Sequence, residues 1–225
     1  MTQTSEMVQA DFDRIALLSS GTRWSHNSHY HGFLLRQLPA RIEDALDIGC
    51  GGGVFARLLA ARSSRVLGLD LSPQMVRLAR ESSAGYPNLE YMQADVMEWD
   101  FPVGRFDCVA SIATLHHLPL EAILAKMCAG LRRGGTLLVL DLFKYVTVTD
   151  VMLGALASPA GVALKLINGE PIREPAEVRR AWQEHGRYDT YLPMSEVRSI
   201  CGRVLPDAKV RRHLFYRYSI VWKKP

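Results

Sequence analysis

The sequence predicts an α/β fold: a doubly wound, mostly parallel sheet that ends in an antiparallel hairpin. Three observations carry this prediction. From about residue 44, short apolar runs alternate with longer amphipathic stretches, the signature of consecutive βα units. A glycine-rich turn in ALDIGCGGGVFARLLA joins the first run directly to the first of those stretches. Two further strand-like segments close the chain, near enough to each other to pair antiparallel.

The five internal runs are residues 45–48, 66–69, 89–92, 108–111 and 136–143, and the closing pair is 209–213 and 215–222, which makes seven strands. Between the first two runs, residues 54–61 carry apolar side chains at helical spacing. The next helix opens with Ser72 as N-cap and Pro73 at its first position. Residues 120–131 form another amphipathic helix, which Gly134 and Gly135 are expected to stop. Residues 6–38 read as two helices broken near Gly21. Residues 145–195 read as a looser stretch whose clearest element is a helix around Pro175 to His185, and a further helix starts at Met194. The chain is therefore one domain over residues 1–225: an N-terminal helical lid (1–40), a core (44–143), a cap insertion (145–195) and a C-terminal helix with hairpin (196–225).

With 225 residues, 48% hydrophobic and 22% charged, the chain has the balance of an ordinary globular domain. A net charge of +4 is too small to demand a nucleic acid. The four cysteines are widely spaced, so neither a disulfide framework nor a structural zinc is expected. The first residues lack the basic patch and apolar run of a signal peptide, and no segment reaches the ~18 apolar residues of a membrane span. A cytoplasmic protein with no membrane contact is the expectation.

The chemistry concentrates in the glycine loop. Gly49, Gly51 and Gly53 follow a strand and precede a helix, where a ligand must approach the backbone closely. Asp70 ends the second strand 17 residues after Gly53, placed like the acid that grips a ribose diol in nucleotide-binding α/β folds. The pattern is D-x-G-x-G-x-G from Asp47, rather than the G-x-G-x-x-G of dinucleotide folds.

In these motifs the chain resembles the class I S-adenosylmethionine-dependent methyltransferases. LDIGCGGG is similar to that family's first motif, GLDLSPQMVRLAR to its second, QADVMEW to its third, FDCVASIATLHHLP to its fourth and LRRGGTLLVLDLF to its fifth. The resemblance implies a Rossmann-like methyltransferase fold and S-adenosyl-L-methionine as cofactor. By the same resemblance, Asp47, Gly49, Gly51 and Gly53 would line the methionine and ribose portion, and Asp70 would accept both ribose hydroxyls. Leu71 would pack on the adenine, Asp95 with the Val96 amide would read its edge, and Ser111 and Ile112 would border the transferable methyl. Asp107 is assigned a structural role at the start of its strand.

Methyl transfer from a sulfonium is an in-line displacement, and positioning alone can supply up to ~7 to 11 kcal/mol of its barrier lowering. His117 in LHHLP is the leading candidate base, because a histidine accepts protons near neutral pH. Upstream, SHNSHYH gathers His26, His29, Tyr30 and His31. On a helix His29 and His31 stand about 200° apart, so a three-histidine metal site is excluded there and no metal is expected. Trp24, Tyr30 and His31 are lid residues in this reading, with Tyr30 and His31 as pocket candidates, whereas Phe33, Leu34 and Leu38 pack on the core. The expected partner is a small-molecule methyl acceptor, and the chain is expected to be a monomer or homodimer. KVRRHLFYRY and the terminal WKKP motivate the alternative of an RNA or protein methyltransferase. A non-catalytic cofactor-binding protein is the third reading.

Overall fold

The structure, a computed structural model, describes residues 4–18, 25–171, 173 and 175–225. Gly21 and Trp24 lie outside the described residues. Seven strands form one sheet: β1 (Ile42–Ile48), β2 (Ser63–Asp70), β3 (Leu89–Gln93), β4 (Phe106–Ile112), β5 (Leu131–Leu142), β6 (Lys209–Arg212) and β7 (Arg217–Lys223). Their spatial order is β3-β2-β1-β4-β5-β7-β6. The first five are parallel, while β7 runs antiparallel to β5 and β6 antiparallel to β7. The chain winds outward from β1 to β3 and then crosses to β4, so the strand order reverses between β1 and β4. Ligands of open α/β sheets bind beside the carboxyl ends of the strands at such a switch point.

Period-two alternation gives the sheet two apolar faces. On β5, Leu137 and Val139 join one core, with α5 (Leu120–Gly130) and α8 (Met194–Val204). Leu138 and Leu140 join the other, with α2 (His31–Leu35) and α3 (Val54–Ala60). Helix α4 (Pro73–Glu81) starts as its sequence requires: the Ser72 hydroxyl accepts the Met75 amide at 3.0 Å, with Pro73 at the first position. Asp107 has the structural role assigned to it. Its carboxylate accepts the Glu43 and Asp44 amides at 2.9 and 3.0 Å and pairs with Arg132.

Two local expectations are corrected. Helix α5 ends at Gly130 and β5 begins at Leu131, so Gly134 and Gly135 lie within a strand whose register shifts opposite Phe106 and Cys108. As expected, helical segments lie on either side of Gly21: α1 (Ser5–Leu18), and a single tight turn at Ser28–Tyr30 that leads into the five-residue α2. The largest difference is α6 (Val148–Ile167), a 20-residue helix in a region read as loose. Pro159 inside it removes one helical hydrogen bond and conceals the pattern in sequence. Its start is secured by a capping box, in which Thr147 accepts the Asp150 amide and Asp150 accepts the Thr147 amide at 2.8 Å. The remaining helix, α7 (Ala176–His185), lies where expected.

Candidate active site

The loop from β1 to α3 is built around left-handed glycines. Gly49, Gly51 and Gly53 have φ of 66°, 50° and 76°, a region that L-residues adopt only with strain. A Cβ on Gly53 would stand 2.1 Å from the Tyr91 hydroxyl, whereas one on Gly51 would meet no atom within 4 Å. Gly51 therefore faces open space, as a cradle for a ligand does.

Asp70 closes this loop. Its two carboxylate oxygens accept the Gly51 amide at 2.8 Å and the Ser72 amide at 2.9 Å, and burial raises its pKa. Each oxygen retains a second lone pair. Asp47 is 1% exposed, and neither of its oxygens makes a hydrogen bond of ordinary geometry. Burial first, and then the Asp70 charge, push its carboxyl up to about 8, which the Ala56 amide only partly offsets. A buried acid whose single polar contact among the described residues is the Ala56 amide, beside a cradle that faces open space, fits a ligand that brings cationic groups.

The third-strand residues follow. Asp95 is half-buried and accepts the Met97 amide at 2.9 Å, Val96 is buried, and half-buried Leu71 lies one residue beyond Asp70. Ser111 is fully buried and its hydroxyl donates to the Ile48 carbonyl at 3.0 Å, so it fastens β4 to β1. Ile112 is half-buried at the end of β4. Beyond it Ala113 takes φ of 54°, a strained turn at the carboxyl edge.

The expected pocket residues are distributed differently from the sequence reading. A cavity of about 540 Å3 opens at the ends of β5 and β7, under α6. Phe143, Tyr191, Phe215 and Tyr216 supply its aromatic wall, with Lys165 and Arg217 as cations. His26 lines it and stacks on Phe215 with ring centroids 4.5 Å apart. Burial, then Arg217 and Lys165, lower the His26 pKa to about 4. Tyr30 and His31 are not among the lining residues. The Tyr30 hydroxyl donates to the Leu214 carbonyl at 3.2 Å, and His31 is buried against Phe55, its pKa lowered to about 4 by burial. Their aromatic surface packs the segment onto the core.

His117 is likewise interior, with its side chain 4% exposed and Phe12 against its ring edge. Burial, then His116 and His185, lower its pKa to about 2. So weak a base does little general-base work at neutral pH.

Sequence reasoning missed Tyr216, and the only signal for it was negative. Phe215 and Tyr216 occupy φ of 61° and 58° in the turn from β6 to β7, closed by the Arg217 amide on the Leu214 carbonyl. Such a hairpin turn favours Asn-Gly, and each left-handed residue costs roughly 1–2 kcal/mol. Aromatic residues held there serve the cavity rather than the turn. Tyr216→Gly is expected to keep or raise stability by up to about 1 kcal/mol, despite losing the stack on Tyr145 at 4.1 Å. Thermal melts measure this, and a clear fall in melting temperature would contradict the strain argument.

Comparison with known proteins agrees with this geometry. Residues 45–135 match the profile of the family described as methyltransferase domain. An uncharacterized methyltransferase of Mycobacterium tuberculosis is 31% identical over 206 residues, covering 90% of this chain and 98% of that protein. A ubiquinone biosynthesis O-methyltransferase of Xanthomonas axonopodis is 27% identical over 183 residues, covering 76% of this chain and 71% of that one. Among solved structures, the N-methyltransferase NodS of Bradyrhizobium japonicum, in complex with S-adenosyl-L-homocysteine, superposes with a TM-score of 0.65. That match covers 96% of this chain and 98% of NodS at 16% identity, a likeness of fold. With the glycine loop, its two acids and the strand order all in place, the chain belongs to the class I S-adenosylmethionine-dependent methyltransferases.

Proposed function

We propose that this enzyme transfers a methyl group from S-adenosyl-L-methionine to a small molecule with an aromatic or apolar body and an anionic group. The observation that carries this reading is the cavity: an aromatic wall with two cations, at the same edge of the sheet as the glycine loop. Small-molecule sites are mostly apolar, with a few placed polar groups that fix orientation. Asp70 and the Gly51 backbone would hold the ribose and Asp47 would meet cationic groups, while Leu71, Asp95 and Val96 border the position of the base. The bound cofactor supplies a methyl on a sulfonium.

Phe143, Tyr191, Phe215 and Tyr216 would clamp the acceptor and keep water from its reacting atom. Lys165 and Arg217 would hold its acidic end. Arg217 is preset by bonds to Asn27 Oδ1 at 2.6 Å and to the Phe215 carbonyl at 2.8 Å. His26, its pKa lowered, is neutral at pH 7 and packs as part of the wall, and the rate comes from positioning.

Three basic residues of the C-terminal stretch are engaged within the fold, while Arg211 and Lys223 are exposed. Arg212 pairs with Asp150 at 2.7 Å, Arg217 is turned into the cavity wall, and Lys224 Nζ donates to the carbonyls of Cys128 and Leu131.

The test is acceptor-dependent release of S-adenosyl-L-homocysteine from a panel of aromatic carboxylic acids and phenols, with RNA in parallel. Turnover on acidic aromatics is expected. In Lys165→Ala the acceptor KM should rise about tenfold or more, as a charge-assisted contact implies, with little change in kcat. Turnover on RNA alone would overturn the reading.

A further inference from the structure

Next to the cavity, and outside the proposed methyl-transfer chemistry, four side chains converge from distant parts of the chain. His116 and His117 follow β4, His185 ends α7, and Asp189 lies four residues beyond it. Ligand atoms of His116, His117 and Asp189 all lie within 4.8 Å of one another. Asp189 Oδ1 stands 3.5 Å from His117 Nδ1 and 3.7 Å from His185 Nε2, and Asp189 Oδ2 stands 3.9 Å from His116 Nε2. These separations are too long for hydrogen bonds and too short for a water between the atoms. The two to Asp189 Oδ1 approach the spacing of a tetrahedral ion, for which bonds of 2.0–2.2 Å place neighbouring donors about 3.4 Å apart. Asp189 Oδ1 is buried without a hydrogen bond.

The outer contacts point the same way. His116 Nδ1 is 2.6 Å from Asp141 Oδ1 and His185 Nδ1 is 3.2 Å from Asp11 Oδ2, so in both rings the far nitrogen, Nε2, is left facing Asp189. A metal-bound histidine characteristically gives its other N–H to a carboxylate in this way. The Tyr191 hydroxyl donates to Asp189 Oδ2 at 2.6 Å and carries the arrangement to the cavity wall. Asp141, fully buried at the end of β5, holds His116 and the Leu142 amide.

We infer that His116, His117 and Asp189, with His185 closing as a fourth ligand, bind one divalent transition-metal ion of the zinc class. Three imidazoles and one carboxylate suit such an ion and not magnesium, which takes mainly oxygen ligands. The ligands and their carboxylate partners come from α1, the loop after β4, the end of β5, α7 and the segment beyond it. The ion therefore fastens the N-terminal helix and the cap to the carboxyl edge of the sheet.

The test needs neither cofactor nor acceptor, so its failure is separate from failure of the methyl-transfer reading. Wild-type protein is stripped with chelator and dialysed against Zn2+, Co2+ or Mg2+ alone, then measured by elemental analysis and visible absorption. The expected result is about one Zn2+ or Co2+ per chain, tetrahedral d–d bands for Co2+, a raised melting temperature, and no retention of Mg2+. Asp141→Asn should weaken Zn2+ binding by about 10–100-fold, and His117→Asn should abolish it. Folded wild-type protein that retains neither Zn2+ nor Co2+ would overturn the proposal, as would full retention by folded His117→Asn. If His117→Asn does not fold, the wild-type Co2+ spectrum decides: octahedral or absent bands reject the site.

Discussion

Replacing Asp70 by alanine is expected to weaken S-adenosyl-L-methionine binding by roughly 10²- to 10⁴-fold. Two charge-assisted hydrogen bonds to the ribose, at about 1.5–3 kcal/mol each, are lost together. The loop suffers as well, because this carboxylate holds the Gly51 and Ser72 amides at 2.8 and 2.9 Å. Ser72 is also the cap of α4 and donates its hydroxyl to Asp13 on α1 at 2.5 Å. The melting temperature should therefore fall together with affinity. Direct titration of cofactor into folded variant, with circular dichroism to confirm the fold, gives both numbers. An affinity within threefold of wild type would remove Asp70 from the cofactor site.

Asp47→Asn is expected to stabilise the cofactor-free protein at alkaline pH while removing the pH dependence of cofactor binding. The carboxyl titrates at 3.8 as a free side chain and at about 8 in the fold. Between these values the native state holds a proton that the unfolded chain has lost. The Asp47 contribution to stability therefore falls as pH rises from about 4 to 8, and is level above. A rise of this size corresponds to something of the order of 5 kcal/mol. Asparagine keeps the shape without the titration, so the two proteins should differ little at pH 5 and most near pH 8.5 in urea melts. A cofactor with cationic groups would draw the proton off Asp47, so wild-type affinity should climb with pH toward 8, and the Asn variant should show no such climb. Parallel pH curves for the two proteins would contradict a buried, ionising Asp47.

The parts of this molecule that a single sequence reveals are those set by local pattern. Ala45, Leu46 and Ile48 are apolar on both faces of the strand because both faces are buried, and Ser72-Pro73 announces a helix start by its own chemistry. The glycine loop and Asp70 are likewise legible, since left-handed backbone at Gly49, Gly51 and Gly53 admits little else. Helix α6 was hidden because Gly154, Pro159 and Gly161 interrupt its pattern, while its capping box and long-range packing hold it. The cavity under α6 was illegible for a different reason: it joins His26, Tyr191 and Phe215, which only the tertiary fold brings together. Within SHNSHYH the segment puts His26 toward the cavity and turns Tyr30 and His31 inward. His117 was singled out as a base from its motif, yet its burial with His116, His185 and Asp189 depends on residues far along the chain.

The glycine loop with Asp47 and Asp70 is the proposed site for S-adenosyl-L-methionine. Calorimetric titration of wild-type protein at pH 8 with S-adenosyl-L-methionine, and in parallel with NAD, tests that claim most directly. Saturable binding of one S-adenosyl-L-methionine per chain, with no heat from NAD, is the predicted result. Folded protein that binds NAD, or that gives no saturable binding of S-adenosyl-L-methionine, would contradict it.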